Sequence, residues 1–581
     1  MLPTTLHRLH RLNGLVQRLS ADARARHAFF LLAALASILV SGYHFGTFDQ
    51  YAHITFLKYY ADPGLFPRDE FVRLMSGQNY SYFWRLFVPI YQLDLAYGQN
   101  IPEALRPIFL GSTMLAAHVA VTYVTFWRLW RLSVELFDST MTAFFSVLAL
   151  IIPHVGFGGF MALEFSLLNR TFALPFLLWA LTLYLQRRYR PAFFIAGAMF
   201  NIHVISVNFV LAMFALDAAR RWRDIGWRTL AASAGLFLVA AAPVLIWRLT
   251  DPTAAMPADP EWFAVMTRGT LYNLFFLIAP YFHINLITLF GLSTLLMFFV
   301  GWKWAPSRRH NASLLNFCLA LIAILLVQIV TAQFWPITLI VQLQIIRAGV
   351  FVMLLGYLYF VHYTLTALPD AQSEWDFFFL IATTVVAPMP LFPAAVWLLQ
   401  RWVRSARARL AATVTAVVAS VVFGAWLLVT LDLWSPGLHP FGPRNAWYDA
   451  QRWAREHTPR DAVFITPPEQ WWLYDSDWRV FSERATVVSH IELIMVAIAP
   501  SYFPEWRERF EQVAPGAIAR FGGNYFENRT IVREAFYTLS LAELRRIGAR
   551  YGAGYVVMEK PNRRDLPLLY ENEQFTIYAL R

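Results

Sequence analysis

The sequence predicts a polytopic α-helical membrane protein of about 11 spans, followed by a C-terminal soluble α/β domain. Composition is the first reason. Of 581 residues, 58% are hydrophobic and 15% charged, whereas soluble domains carry about a quarter charged residues. The second reason is length: Ala28 to Phe45, Leu230 to Ile246, Leu314 to Val330 and Ala411 to Leu431 are apolar runs suited to crossing about 30 Å of hydrocarbon as helices. The third is where the charge lies. The net charge is +11, yet residues 437–581 hold 18 basic and 18 acidic residues. All of the excess therefore sits in short clusters between hydrophobic runs, the positive-inside pattern of membrane proteins. A nucleic-acid surface is not needed to explain it.

Residues 1–26 carry Arg8, Arg11, Arg18, Arg24 and Arg26 against the single acid Asp22, which predicts a cytoplasmic N-terminus. The membrane domain covers 27–436. Its first span, about 27–45, leads into a first outer loop, 46–107, too long and too aromatic for a plain connector. Arg128 and Arg131, then Arg187, Arg188 and Arg190, then Arg220, Arg221 and Arg223, then Lys303, Arg308 and Arg309, then Arg401 to Arg409 mark returns to the cytoplasm. The stretch from Arg190 to Arg220 is too short for two full spans and is interrupted by Asn201, His203 and Asn208, so short or broken helices are expected there. Ala387-Pro388-Met389-Pro390 and Pro393 pose the same problem within Phe377 to Leu399. Broken helices at membrane depth survive against protein or a wet cavity.

A last span of about 409–431 running outward places the tail, 437–581, on the same side as the first loop. Arginine-heavy usage and the lack of disulfides, with the lone Cys318 inside an apolar run, suit a bacterial inner membrane with a periplasmic tail. In the tail, Ala462 to Thr466, Tyr555 to Met558 and Phe575 to Tyr578 read as strands. Ala446 to Glu456 and Leu541 to Ala549 read as helices, the first ending at Thr458-Pro459-Arg460-Asp461.

Tyr43-His44-Phe45-Gly46-Thr47-Phe48-Asp49-Gln50 places an acid just beyond the outer end of the first span. A carboxylate there is partly desolvated and suited to general-base work or to holding a cation. Asp49 is equally placed to cap a helix beginning at the next residue. This layout resembles the GT-C superfamily of membrane glycosyltransferases: cytoplasmic N-terminus, acid early in a long first outer loop, many spans with broken helices, and an outer C-terminal α/β domain. The resemblance implies that Asp49 is the base that activates an acceptor hydroxyl to attack a polyprenyl-phosphate-linked or polyprenyl-diphosphate-linked sugar. Many members have two adjacent acids where this chain has Asp-Gln, so a divalent cation has room here but is not indicated. Asp69-Glu70 in the same loop offers a second carboxylate, or else a solvated turn after Pro67.

Other polar residues on apolar stretches need a partner or a function. Glu164 and Arg170 either neutralise each other, or orient the acceptor and face the donor phosphate. His203 is either a satisfied core residue or part of the site. Arg347, about three helical turns beyond Gln333-Phe334-Trp335-Pro336, wants an anion, and a lipid phosphate suits its planar donors; similar arginines in GT-C members hold the donor phosphate. In the tail, Phe481 to Ala485 with Trp471-Trp472 either lines an acceptor groove or packs the domain. No Gly-rich phosphate loop, His-Glu-x-x-His or nucleophile elbow occurs. The expected function is transfer of a sugar from a lipid-linked donor to a glycan, lipid or protein acceptor, in contact with membrane lipids and without nucleic acid. Rival readings are a transporter or flippase of a lipid-linked glycan and an assembly partner without activity.

Overall fold

The computed structural model describes residues 3–580 except 103–104, 155–159, 251–258, 270–285, 367–380, 386–389, 404, 431, 433, 471–473 and 524. Among the described residues, six helices are long and apolar enough to cross a membrane: Ala23–Ser41, Ile108–Phe137, Trp227–Leu249, Asn311–Ala332, Thr338–Thr366 and Arg407–Trp426. Shorter apolar helices, Thr140–Ala149 and Leu289–Trp304, lie among them. In Trp227–Leu249 and Arg407–Trp426, only 17% of the apolar window is covered by protein, and Val239, Ile246, Val422 and Trp426 face outward. Apolar surface on that scale suits contact with lipid or with another protein.

The polar interruption between Arg190 and Arg220 does break the chain into two short helices, Tyr189–Phe200 and Val204–Arg220. Asn201, at the break, mends a neighbour. Pro243 sits inside the helix Trp227–Leu249, where its ring disturbs the backbone ladder. There, Val244 N–H donates to Asn201 Oδ1 at 3.0 Å and Asn201 Nδ2 donates to the Ala240 carbonyl at 2.7 Å. One amide side chain thus serves both groups of an i→i−4 bond that the kink opens. A break not anticipated from sequence occurs at Gln344, which adopts φ 43, ψ 52 between the helix Thr338–Leu343 and the 3₁₀ turn Ile345–Ala348. Gln328 Oε1 accepts from Ile346 N–H at 2.8 Å to satisfy the freed backbone. The interruption expected at Ala387 to Pro390 lies largely outside the described residues; the helix Leu391–Trp402 follows it.

The first loop and the tail are joined at their roots. β1 (Tyr43–His44) pairs in parallel with β2 (Leu438–His439). Gly42 has φ +78, and a Cβ there would lie 2.3 Å from the Ser435 carbonyl, so only glycine allows the chain to turn against the tail. The tail's five-stranded sheet contains β3 (Val463–Ile465), β4 (Ala485–Thr486), β5 (Tyr555–Glu559), β6 (Leu568–Glu571) and β7 (Phe575–Ala579) in the order β4-β3-β5-β7-β6. The first three strands are parallel and the last two join antiparallel. Helices Ala446–His457 and Leu541–Tyr551 accompany it, the second closed by a Ser540–Glu543 capping box. The three strands read from sequence correspond to β3, β5 and β7; β4 and β6 are too short and too polar in pattern to stand out.

Two buried ionic networks hold the tail on the first loop. Lys58, on the helix Gln50–Ala61, donates to Glu483 Oε1 at 2.7 Å and to the Val480 carbonyl at 2.7 Å, while Tyr91 and Arg455 complete the carboxylate. Arg479 reaches Asp69 at 2.6 Å, Glu492 at 2.7 Å and Asp477 at 3.4 Å. Asp69 also caps the helix Glu70–Met75 through Val72 N–H and accepts from Thr486 N–H. It is therefore neither the second carboxylate of the Asp49 site nor a solvated turn, because a buried arginine from the tail claims it. Glu70 is an outward partner of Arg73. Phe481 is buried against Phe45 and Tyr448, so the Phe481 to Ala485 segment packs the domain; Trp471 and Trp472 lie outside the described residues.

Candidate functional site

Asp49 occupies the residue preceding the helix Gln50–Ala61 but makes no capping bond with it. Its carboxylate turns instead to Arg170, whose Nη1 donates to Oδ2 at 2.6 Å. Phe48, just before, has φ +50, an unusual conformation for an aromatic residue, of the kind that persists where surrounding structure and function demand it. Arg170 lies at the start of the helix Asn169–Leu185 and donates from Nε and Nη2 to the two oxygens of Glu164 at 2.5 and 2.8 Å. A bidentate grip on one carboxylate thus leaves Nη1 for the other. The two acids are pushed apart in strength. Burial raises both; at Glu164 burial prevails and the carboxyl stays above its ordinary value. At Asp49 the guanidinium groups of Arg170 and Arg347 outweigh burial and hold it below. Asp49 is thus the stronger acid of the two.

Arg347 sits on the 3₁₀ turn that follows the Gln344 break. Its guanidinium lies over the Phe160 ring at 4.3 Å, its Nε has no hydrogen-bond partner, and no carboxylate among the described residues pairs with it. Asp49, Arg170, His203 and Arg347 line one cavity of about 420 Å³, and Glu164 lines an adjoining space with Arg170, His203 and Arg347. Five residues singled out from sequence thus converge; Asp69 and Glu70 do not line either space. The helix Glu492–Ile498 of the tail supplies Ile494, Met495 and Ile498 to the cavity wall, so the tail closes over the site. The cavity combines an apolar lining with a few convergent polar groups, the usual character of a small-molecule site.

His203 serves both readings made of it. Its Nδ1 accepts from Ser206 N–H at 3.2 Å and so starts the helix Val204–Arg220, which places the proton of the neutral ring on Nε2; the ring also lines the cavity. Sequence reasoning missed His53, Asn79, Arg248 and Gln344, all in the cavity wall. His53 follows Asp49 by one helical turn, a spacing that puts them on one face. Its ring stacks on Trp84 at 4.7 Å, and burial lowers its pKa to about 4. Arg248 donates to Gln342 Oε1 at 2.6 Å and lies over Tyr80. Among the described residues no group of three or more His, Cys, Asp or Glu side chains converges as a metal site would.

Fold and site together define a mostly helical protein, with six helices long and apolar enough to cross a membrane among the described residues, whose folded tail covers a cavity of mixed acid and arginine character. Residues 445–513 match the family model of a domain of unknown function, DUF6798. No curated protein matches the chain. The matched segment contains Arg455, Arg479, Glu483 and Glu492, which clamp the first loop, and the three tail residues that wall the cavity.

Proposed function

We propose that the protein is a GT-C-like membrane glycosyltransferase, moving a sugar from a polyprenyl-phosphate donor to an acceptor hydroxyl at the outer face of a bacterial inner membrane. In this reading the chain makes about 11 crossings, with a cytoplasmic N-terminus and a periplasmic tail. One observation carries it: Arg347, with which no carboxylate among the described residues forms an ion pair, shares a cavity with Asp49, whose pKa Arg170 and Arg347 lower. A buried guanidinium without a directly bonded carboxylate favours an anion, and a phosphate fits its planar donors. The acceptor oxygen attacks the anomeric carbon as the bond from that carbon to the phosphate oxygen breaks. Asp49 takes the acceptor proton through Oδ1, Arg170 and Glu164 hold the Asp49 side chain in place, and the leaving polyprenyl phosphate keeps its charge against Arg347. The apolar wall contributed by Ile494, Met495 and Ile498 excludes water that would compete with the acceptor.

Purified protein incubated with labelled lipid-linked sugars and a membrane extract tests the reading. Asp49→Asn should lower transfer about 10²–10⁴-fold, the contribution of a positioned general base, with donor binding retained. Full transfer by this variant would remove Asp49 from the mechanism. Counterflow of labelled lipid in liposomes without any covalent product would replace transfer by transport.

A further inference from the structure

His203 has one ring nitrogen that the chain uses and one that it does not. Nδ1 accepts from Ser206 N–H at 3.2 Å and lies 2.8 Å from the Ser206 hydroxyl, so the ring carries its proton on Nε2. Nε2–H has no hydrogen-bond partner among the described residues. It is also not among the unpartnered atoms sealed inside the protein, as Nδ1 of His53 and Nδ1 of His118 are, although the residue as a whole is only 8% exposed. The ring lines the cavity of about 420 Å³ and the space adjoining it, so Nε2–H opens onto them.

Three residues are common to those two spaces, Arg170, His203 and Arg347, and both guanidinium groups are within electrostatic reach of the imidazole. Arg170 is engaged by Asp49 and Glu164. Arg347 and His203 remain as donors at the junction, one charged and one neutral. Three roles are open to a histidine there, and the helix cap separates them. To act as a base, the ring would have to move its proton to Nδ1, which would take the acceptor away from Ser206 N–H in the first turn of the helix Val204–Arg220. To act as an imidazolium, it would lose the same bond and add a third cation beside two guanidinium groups. The role left is that of a neutral donor held in one tautomer.

We propose that His203 is a catalytic residue of the sugar transfer, its Nε2–H donating to the phosphate oxygen that leaves the anomeric carbon. The inference rests on the lipid-linked-donor reading. As the acceptor oxygen bonds to the anomeric carbon, the electron pair of the breaking carbon–oxygen bond passes to that phosphate oxygen and the acceptor proton passes to Asp49. His203 gives up no proton. Its hydrogen bond strengthens as charge gathers on the leaving oxygen, which lowers the barrier more than it tightens donor binding.

Two substitutions divide the work of the ring. Asparagine places an oxygen where Nδ1 was, as a good helix cap, but ends one bond short of Nε2. Glutamine carries an amide nitrogen as many bonds from Cβ as Nε2 and gives up the cap. Full-length protein in nanodiscs is measured for its thermal midpoint, for the Kd of undecaprenyl phosphate, which bears the free leaving oxygen, and for single-turnover transfer from the labelled lipid-linked sugar that the parent accepts. His203→Asn should melt with the parent, bind undecaprenyl phosphate about tenfold more weakly and transfer about 10²-fold more slowly. His203→Gln should melt lower and yet recover most of both losses. Parent-like affinity and rate in His203→Asn, or losses in both variants that track their midpoints, would reduce His203 to a cap and leave Asp49 and Arg347 in their roles. If the parent binds no undecaprenyl phosphate or transfers no sugar, the donor reading itself fails and the role of His203 falls with it.

Discussion

Two regions of this molecule bury arginine beside carboxylates, and they do so to opposite ends. In the clamp between first loop and tail, Arg479 is met by Asp69, Asp477 and Glu492, and Glu483 is met by Lys58, Tyr91 and Arg455. Every strong donor there has a protein acceptor. In the cavity, Arg170 is fully engaged by Glu164 and Asp49, while Arg347, within electrostatic reach of both, forms no ion pair among the described residues. A closed network fixes the relative position of two segments. An open one is held ready for something the chain does not contain.

The comparison breaks first if the clamp is dispensable. Arg479→Ala strands three buried carboxylates and should destabilise the docked tail by about 3–5 kcal/mol, read as a lower thermal midpoint and as proteolytic release of the tail from intact protein. Next in size, Arg347→Ala should reduce sugar transfer about 100-fold, near 2.7 kcal/mol at the transition state. Its thermal midpoint should be unchanged or higher, because a buried charge without a partner is removed. A midpoint as low as that of Arg479→Ala would erase the distinction between the regions.

The smallest effect is the pH profile of the tail. Glu483 is held at about 2 because Arg455 and Lys58 overcome burial. It therefore adds stability above its ordinary value near 4.5, lost as the pH falls through 2. Glu469 has the opposite sign: burial pushes it up to about 7, so it favours the folded state when protonated and subtracts stability as the pH rises from 4.5 through 7. Lowering the pH from 8 to 5 should raise the midpoint by about 2–5 °C, with Glu469→Gln abolishing the rise, and acidification below 4.5 should then reverse it. Tryptophan fluorescence melts across this range follow both limbs.

What could be read in advance divides along a physical line. Charge on an apolar stretch is costly wherever it lies, so Asp49, Glu164, Arg170 and Arg347 stand out from their neighbours alone, and the structure gathers them with His203 around one cavity and the space adjoining it. Asn201 and His203 likewise announce the break between two short helices. Asp69 was misread because its partner, Arg479, lies 410 positions away, and nothing local distinguishes an acid awaiting a distant arginine from one facing water. Gln344, Asn79 and His53 gave no signal, since neutral polar residues at a loop or helix end are ordinary. Their interest arises only when distant segments bring them into one cavity wall. The break at Gln344 was equally silent, as Gln342-Leu343-Gln344-Ile345 contains neither Gly nor Pro.

The pairing of β1 with β2 has a consequence for how the protein is made. Residues 43–44 leave the ribosome early, yet their strand partner at 438–439 and the side chains that meet Lys58 and Asp69 follow only after every intervening helix has been synthesised. Until then the nascent first loop carries a lysine and an aspartate that the finished protein buries, along with the strained turn at Phe48. Assembly of the site is therefore a late event in which the last part of the chain to emerge completes the first. A chain terminated before the tail would leave these charges unsatisfied.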